Sequence, residues 1–380
     1  MIAFIDSIAS NQSVSRASAL ISTSRTSLAA LLVLLATAGN ASKAIFVEAL
    51  IVSKTLLPVG VSSLVPSGDG TMLVAGTKSG QILVSTINSE DVKGGPDQWI
   101  ELPTDEYQPK FPVYSLTFGT DGKVLFAGNG DRFVSTWRLD NHGFRFSNKL
   151  GPHTGWVKAV AFHLGTQTLY SIGCNCIESW DCSKDPIRRV SKRAIESSPD
   201  FGATLSSDLL CLCLVDGLCL ASGGVDGRIH LWSLDILQPE AYCSFPCHSG
   251  RVNAMSFSAR YGLLFSIGHD GKVCASRPYT ESLEWVDSFV LDGSPRLSAL
   301  CMMQENGDGC KLAMGTTDGQ IIAATVEVQD GKVSLTEKSR VQIENNPMIY
   351  SICRSRIDPD AQGRFGIYVG HATGMIEVQH

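Results

Sequence analysis

Seven times along the chain a tight turn separates two short apolar runs, and the lettering around it repeats. The turns centre on Ser79-Gly80, Asp131, Asn175, Asp226-Gly227, Asp270-Gly271, Asp318-Gly319 and Thr373-Gly374. Three residues past most of these anchors stands a branched apolar residue: Ile82, Val134, Ile229, Val273, Ile321 and Ile376. Successive anchors lie 52, 44, 51, 44, 48 and 55 residues apart. A unit of this size cannot bury its own apolar face and must stack on its neighbours, so the repeat decides the architecture before any single residue suggests chemistry.

Upstream of each turn lies a second matching run, beginning at Val61, Val113, Val157, Leu209, Val252, Leu297 and Ile349, and all seven read apolar, variable, small, apolar. Branched and apolar residues at these lengths, bounded by Gly and Asp turns, are strand signals. No segment after residue 60 sustains a helical period, so the chain is expected to be all-β.

The stretch from Leu220 to Trp232, Leu-Ala-Ser-Gly-Gly-Val-Asp-Gly-Arg-Ile-His-Leu-Trp, resembles the second and third strands of a WD40 repeat, and Trp180-Asp181 is an intact Trp-Asp pair. Gly151-Pro152-His153 and His248 are similar to the Gly-His opening of that repeat. The resemblance covers residues 44–380 and implies a seven-bladed β-propeller of the WD40-repeat family. It also implies a buried hydrogen-bond network of His, strand Ser, turn Asp and closing Trp. That network carries over in part, as Ser222, Asp226 and Trp232 in one blade, His248, Ser266 and Asp270 in the next, and His153 in the third. Blades one, six and seven have Ser85, Ala324 and Gln379 where the Trp would stand.

A propeller must close. The last repeat ends at Met375-Ile376-Glu377-Val378, which leaves its outermost strand missing. The apolar run from Ile45 to Val52 is expected to supply it, completing the last blade and removing an exposed sheet edge.

Composition narrows the functional classes. A net charge of −6 argues against general binding to a phosphate backbone, which needs clustered Lys and Arg, so nucleic acid is not the expected partner. Within the propeller no run approaches the roughly 20 apolar residues of a membrane span. Most of the twelve cysteines fall inside expected strands. Cys211 and Cys213 share one strand face in a geometry poor for a disulfide, and no Cys-x-x-Cys pair offers zinc its usual spacing. Buried free thiols in a reducing intracellular compartment are expected.

Residues 1–43 form a separate extension. It is rich in Ser, carries Arg16 and Arg25, and leads through Leu28–Ala36 to Ala36-Thr37-Ala38. That order fits an organelle presequence, a secretory signal or an uncleaved extension. Both Asn-x-Ser sequons, at Asn11 and Asn40, lie there and the propeller has none, which favours an organelle, the cytoplasm or the nucleus over secretion.

Function is expected in the connections between blades. The longest are Ile87 to Lys110, which is acidic, and Cys182 to Ser207, which contains Arg188-Arg189-Val190-Ser191-Lys192-Arg193. The second reads as a solvated basic loop around Ser191, a serine in a setting suited to a basophilic kinase. The residue before each inner strand should emerge near the central opening: Gly60, Pro112, Trp156, Asp208, Arg251, Arg296 and Met348. Trp156, Arg251, Arg296 and Met348 are types enriched at interface centres, and Tyr114 and Tyr350 extend the same patch.

Catalytic signatures are missing. The chain has no Gly-x-Ser-x-Gly elbow, no phosphate-cradling glycine loop and no helix for His-Glu-x-x-His, and nine of its 23 Asp residues directly precede Gly, as turn residues do. No cofactor or metal site is expected. The leading expectation is a monomeric, non-catalytic scaffold that presents one face of the ring to a protein or peptide partner in a multi-protein complex. The rival is a propeller enzyme, a metal-assisted hydrolase using the central funnel. A substrate-receptor role in ubiquitin ligases would place a basic residue two after Trp180-Asp181, where Ser183 stands.

Overall fold

A computed structural model describes residues 51–57, 59–87, 99–103, 111–195, 208–235, 241, 243–279, 282–306, 309–329, 331–354 and 366–379. The extension 1–43, the sequons and residues 45–50 of the expected closing strand lie outside the described residues.

The strands form seven four-stranded antiparallel sheets, each a blade, and six of them are built from four consecutive strands. The inner strands run Val61–Pro66, Val113–Phe118, Val157–His163, Leu209–Val215, Val252–Ser258, Leu297–Asn306 and Ile349–Arg354. Each packs against the next, and the seventh packs against the first, so the ring is closed.

The seventh blade is the exception in connectivity. Its outer strand is Ile51–Leu57, paired antiparallel with Gly374–Gln379 in a register that sets Ile51 opposite Gln379 and Leu57 opposite Met375. Of the expected run 45–52, Ile51 and Val52 pair in this strand, and the pairing continues beyond the expected end to Leu57. The physical reason is reach: the first inner strand begins at Val61, and a short connection requires the closing strand to end just before it.

One interlock recurs between blades. The first residue of each inner strand is fully buried, and in five blades its branched side chain fills the space over a glycine in the second strand of the preceding blade. The pairs are Val113 on Gly76, Val157 on Gly128, Val252 on Gly223, Ile349 on Gly315, and Val61 on Gly370 across the closure. A Cβ built on Gly76, Gly128, Gly223 or Gly370 would sit 2.6–2.9 Å from the incoming valine, so glycine is required for close approach there. Each wedge buries a side chain worth about 1.5–3 kcal/mol. Seven apolar clusters line the interfaces, one between each pair of adjacent blades. The branched residues three past the turns belong to these clusters, with Val134, Ile229, Val273 and Ile321 fully buried.

All seven inner strands also carry the same irregularity. The pairing with the second strand skips the second residue, as between Val61 and Ser63, Val113 and Ser115, and Val157 and Ala159. The same skip occurs in the other four blades. A bulge of this kind leaves one residue unpaired and re-aims its side chain. In blades one and six the freed residue fastens the ring: Ser62 Oγ donates to the Val113 carbonyl at 2.6 Å and Ser298 Oγ to the Ile349 carbonyl at 2.7 Å. The small third residue does the same in reverse, Ser351 Oγ accepting from Leu64 N–H at 3.1 Å across the closure.

The two long connections are shorter than the sequence suggested, because each contains an outer strand: Ile100–Glu101 in the first blade and Arg188–Ala194 in the third. Edge strands carry charged residues and lack the apolar signature of inner ones, which hides them in sequence. The basic cluster is therefore a strand. Arg189 and Lys192 pair with the buried Glu178 carboxylate at 3.2 and 3.3 Å. Arg193 is buried beside the Trp232 ring and donates to the Ser233 carbonyl at 2.9 Å. Ser191 pairs with Ser179 in the ladder, and its Oγ is covered.

All twelve cysteines are free. Burial pushes the Cys211, Cys213 and Cys247 thiols up to about 12, so they are protonated and unreactive.

Candidate partner-binding face

Three of the blades hold parts of the buried polar network, and each lacks a different member. In the third blade His153 Nε2 lies 2.7 Å from Ser171 Oγ, which also accepts from Trp180 Nε1 at 2.8 Å, but the turn residue is Asn175. The fourth blade keeps Trp232 Nε1 donating to Ser222 Oγ at 2.8 Å, and Asp226 is met at 3.3 Å by His230, from its own third strand. The fifth has His248 bridging Asp270 at 2.9 Å and Ser266 at 3.0 Å, with Ser276 at the Trp register. Burial holds the His153 and His248 imidazoles below their usual value, against the pull of Glu178 and Asp270. Burial pushes the Asp270 carboxyl up, but its hydrogen bond and charge coupling to His248 prevail and hold it below the usual range. These groups fasten loops to strands. His230 is the member that sequence reasoning missed, since the expected position was the loop before the inner strand.

The same fastening fixes one end of the ring. The turn between the second and third strands donates its first N–H to the carbonyl of the residue before the inner strand: Lys78 to Gly60, Gly130 to Pro112, Val225 to Asp208, His269 to Arg251, Thr317 to Arg296, and Ala372 to Met348. The mouth of the ring is thus framed by three positions per blade: the residue before the inner strand, the bulged second residue, and the first turn residue.

The six candidate residues fall at these positions in three groups. Trp156 is 54% exposed and stacks on Tyr114 of the preceding blade, ring centroids 5.9 Å apart. Lys158, the bulged residue after Trp156, holds its ammonium 3.6 Å from the Tyr114 ring centre and 4.6 Å from that of Trp156. Desolvation lowers the Lys158 pKa, with Asp208 opposing it, and raises that of Tyr114. Arg251 and Arg296, in adjacent blades, are both exposed; Arg251 approaches His269 Nε2 at 3.5 Å, and burial together with the charges of both arginines lowers the His269 pKa. Met348 and Tyr350 share the seventh blade, and the Lys78 ammonium of the first blade sits 4.1 Å over the Tyr350 ring and donates to its hydroxyl. The structure does not bring the three groups into one contact. Lys78, Lys158 and His269 were missed in the sequence, although they stand in the same repeat register.

Beside Trp156 an open groove of about 580 Å³ is lined by Phe111, Arg132, Phe133 and Lys149. Among the described residues no three of His, Cys, Asp and Glu converge to hold a metal. No helix among the described residues is long and apolar enough to cross a membrane.

These features define a seven-bladed ring whose fixed mouth offers aromatic and cationic side chains. Residues 202–233 and 240–275 match the WD domain, G-beta repeat family model. The chain is a seven-bladed β-propeller with WD40-type repeats in its fourth and fifth blades. It superposes on the crystal structure of the Cps50 (Swd1) β-propeller domain of Myceliophteria thermophila with a TM-score of 0.66 at 14% identity, covering 87% of this chain and 99% of that one. It is 26% identical over 137 residues to nuclear distribution protein PAC1-1 of Uncinocarpus reesii, which covers 33% of this chain and 30% of the relative. It is 22% identical over 239 residues to autophagy-related protein 16 of Arabidopsis thaliana, covering 54% of this chain and 46% of the relative. The chain thus spans under half the length of either curated relative it matches.

Proposed function

We propose that this propeller is a non-catalytic interaction scaffold that receives a protein or peptide partner at the mouth framed by Trp156, Tyr114, Arg251, Arg296, Met348 and Tyr350. The observation that carries the reading is Trp156. More than half of this large apolar ring faces solvent, yet it is stacked on Tyr114 and capped by Lys158, so it pays little ordering entropy on binding. Arg251 and Arg296 supply a second anchor in the fifth and sixth blades. A rigid ring with several such anchors can hold members of a complex in fixed relation. The relatives' names, a nuclear distribution protein and an autophagy-related protein, belong to different processes, so the partner is set by the side chains at this mouth rather than by the fold.

The test is affinity capture with the intact protein, Trp156→Ala and Arg251→Glu. Partners recovered by the intact protein are expected to be lost with both variants. Recovery unchanged by both would remove this face from consideration.

A further inference from the structure

We propose that the mouth takes an extended acidic segment of the partner, with carboxylates at Arg251 and Arg296 and an apolar or aromatic anchor against Trp156. The inference rests on the scaffold reading above and adds the chemistry of the ligand.

Charge distribution carries it. Of the three mouth positions in each of the seven blades, four hold a permanent cation, Lys78, Lys158, Arg251 and Arg296, and one holds an anion, Asp208. The mouth is therefore at +3 in a chain whose net charge is −6, so the rest of the molecule repels the ligand that this opening attracts. The other acids of the turns are already engaged: Asp131 pairs with Lys149 at 2.8 Å, Asp226 lies 3.3 Å from His230, Asp270 bonds His248, and Asp318 accepts from Thr316 Oγ1 at 2.5 Å. Arg251 and Arg296 have no carboxylate within ion-pair distance among the described residues. They precede the inner strands of neighbouring blades and the charges of both act on His269, so two side chains of one extended segment could each find a guanidinium.

The aromatic side fixes the anchor. Trp156 and the half-exposed Phe111 border the open groove, and the Lys158 ammonium already occupies the ring faces it reaches. An added cation there would meet like charge, whereas a leucine or aromatic flanked by carboxylates would gain both apolar contact and attraction. Nucleic acid fits less well, because the cations are dispersed around an opening instead of forming a stripe on a basic protein.

The experiment selects 12-residue peptides from a random displayed library on the immobilised full chain. Enriched sequences should carry an excess of Asp and Glu around a Leu or aromatic residue. The best peptide, synthesised with a fluorescent label, should bind about ten-fold or more weakly to the Arg251→Glu, Arg296→Glu double variant, keep most of its affinity for Arg251→Lys, Arg296→Lys, and weaken with salt. All four substitutions are at exposed positions, and circular dichroism and melting of each variant check the fold. The inference is overturned by no enrichment, by enrichment without acidic bias, or by equal affinity for the double variant. It is also overturned if a single-stranded oligonucleotide binds as tightly as the peptide, or if replacing one Glu by phosphoserine tightens binding more than ten-fold. Peptides without acidic bias that still depend on Trp156 overturn this inference alone. Peptides indifferent to Trp156→Ala and to both arginine changes overturn the scaffold reading with it.

Discussion

Blades four and six solve the same packing problem with different chemistry. Blade four joins Ser222 to Trp232 and Asp226 to His230, and its second, third and outer strands have 6, 6 and 4 residues. Blade six has Met314 and Ala324 at the registers of Ser222 and Trp232, both buried, and its corresponding strands have 8, 10 and 11 residues. One blade is short and stapled by polar side chains; the other is long and held by extra ladder pairs and apolar contact. Both present a second-strand glycine to the next inner strand, Gly223 to Val252 and Gly315 to Ile349. The glycine wedge is common to the two designs, whereas the polar network is local to the blades that have it.

The largest effect should come from removing the staple's ring. Trp232 is fully buried, and Trp232→Ala is expected to cost about 3–5 kcal/mol in denaturant unfolding, while a change confined to the smaller Ala324 site, Ala324→Gly, should cost much less. Equal losses would show that the network does not distinguish the blades. Next are the wedges: Gly223→Val and Gly315→Val should each cost about 1–3 kcal/mol or more, and by similar amounts, because the incoming side chain is crowded alike in both blades. A large loss in blade four alone would mean that the wedge is secondary to the staple. Smaller again is Ser222→Ala, which leaves the buried Trp232 N–H without its acceptor and should cost about 1–3 kcal/mol, whereas Met314→Leu in blade six should stay under about 1.5 kcal/mol.

Acid should separate the two kinds of blade most gently. His153 and His248, in the blades flanking blade four, are held below the usual imidazole value, so the folded state prefers them neutral. Stability from this source is fully present above about pH 6.5 and declines as the pH falls below it, because the unfolded chain then binds more protons. The depressed carboxyls of Asp226 and Asp270 add a further loss below about pH 4. Native-state hydrogen exchange between pH 7 and 5.5 is expected to loosen blades three to five before blade six. Uniform loosening would assign the acid sensitivity elsewhere.

Much of this was legible because the repeat constrains each residue seven times over. The wedge valines, the turn aspartates and the branched residue three beyond them follow from period alone. The extent of the closing strand was not legible: the apolar run was read as ending at Val52, whereas pairing continues through Leu57 across Ser53, Lys54 and Thr55, which carry no apolar signature. The Arg188–Arg193 cluster read as a loop because an outer strand with one free edge tolerates charge at every position. Trp156, Arg251 and Arg296 stand directly before inner strands, as the repeat register implied. It could not reveal that Lys158 lies against two rings or that Lys78 meets Tyr350, because those contacts form between blades whose residues are distant in sequence.

The central claim, that the mouth is where a partner binds, is tested most directly by hydrogen–deuterium exchange of the full chain with and without a captured partner. Slowed exchange is expected at residues 156–158, 251–253, 296–298 and 348–350. Protection confined to the outer strands or to the opposite end of the ring would contradict it.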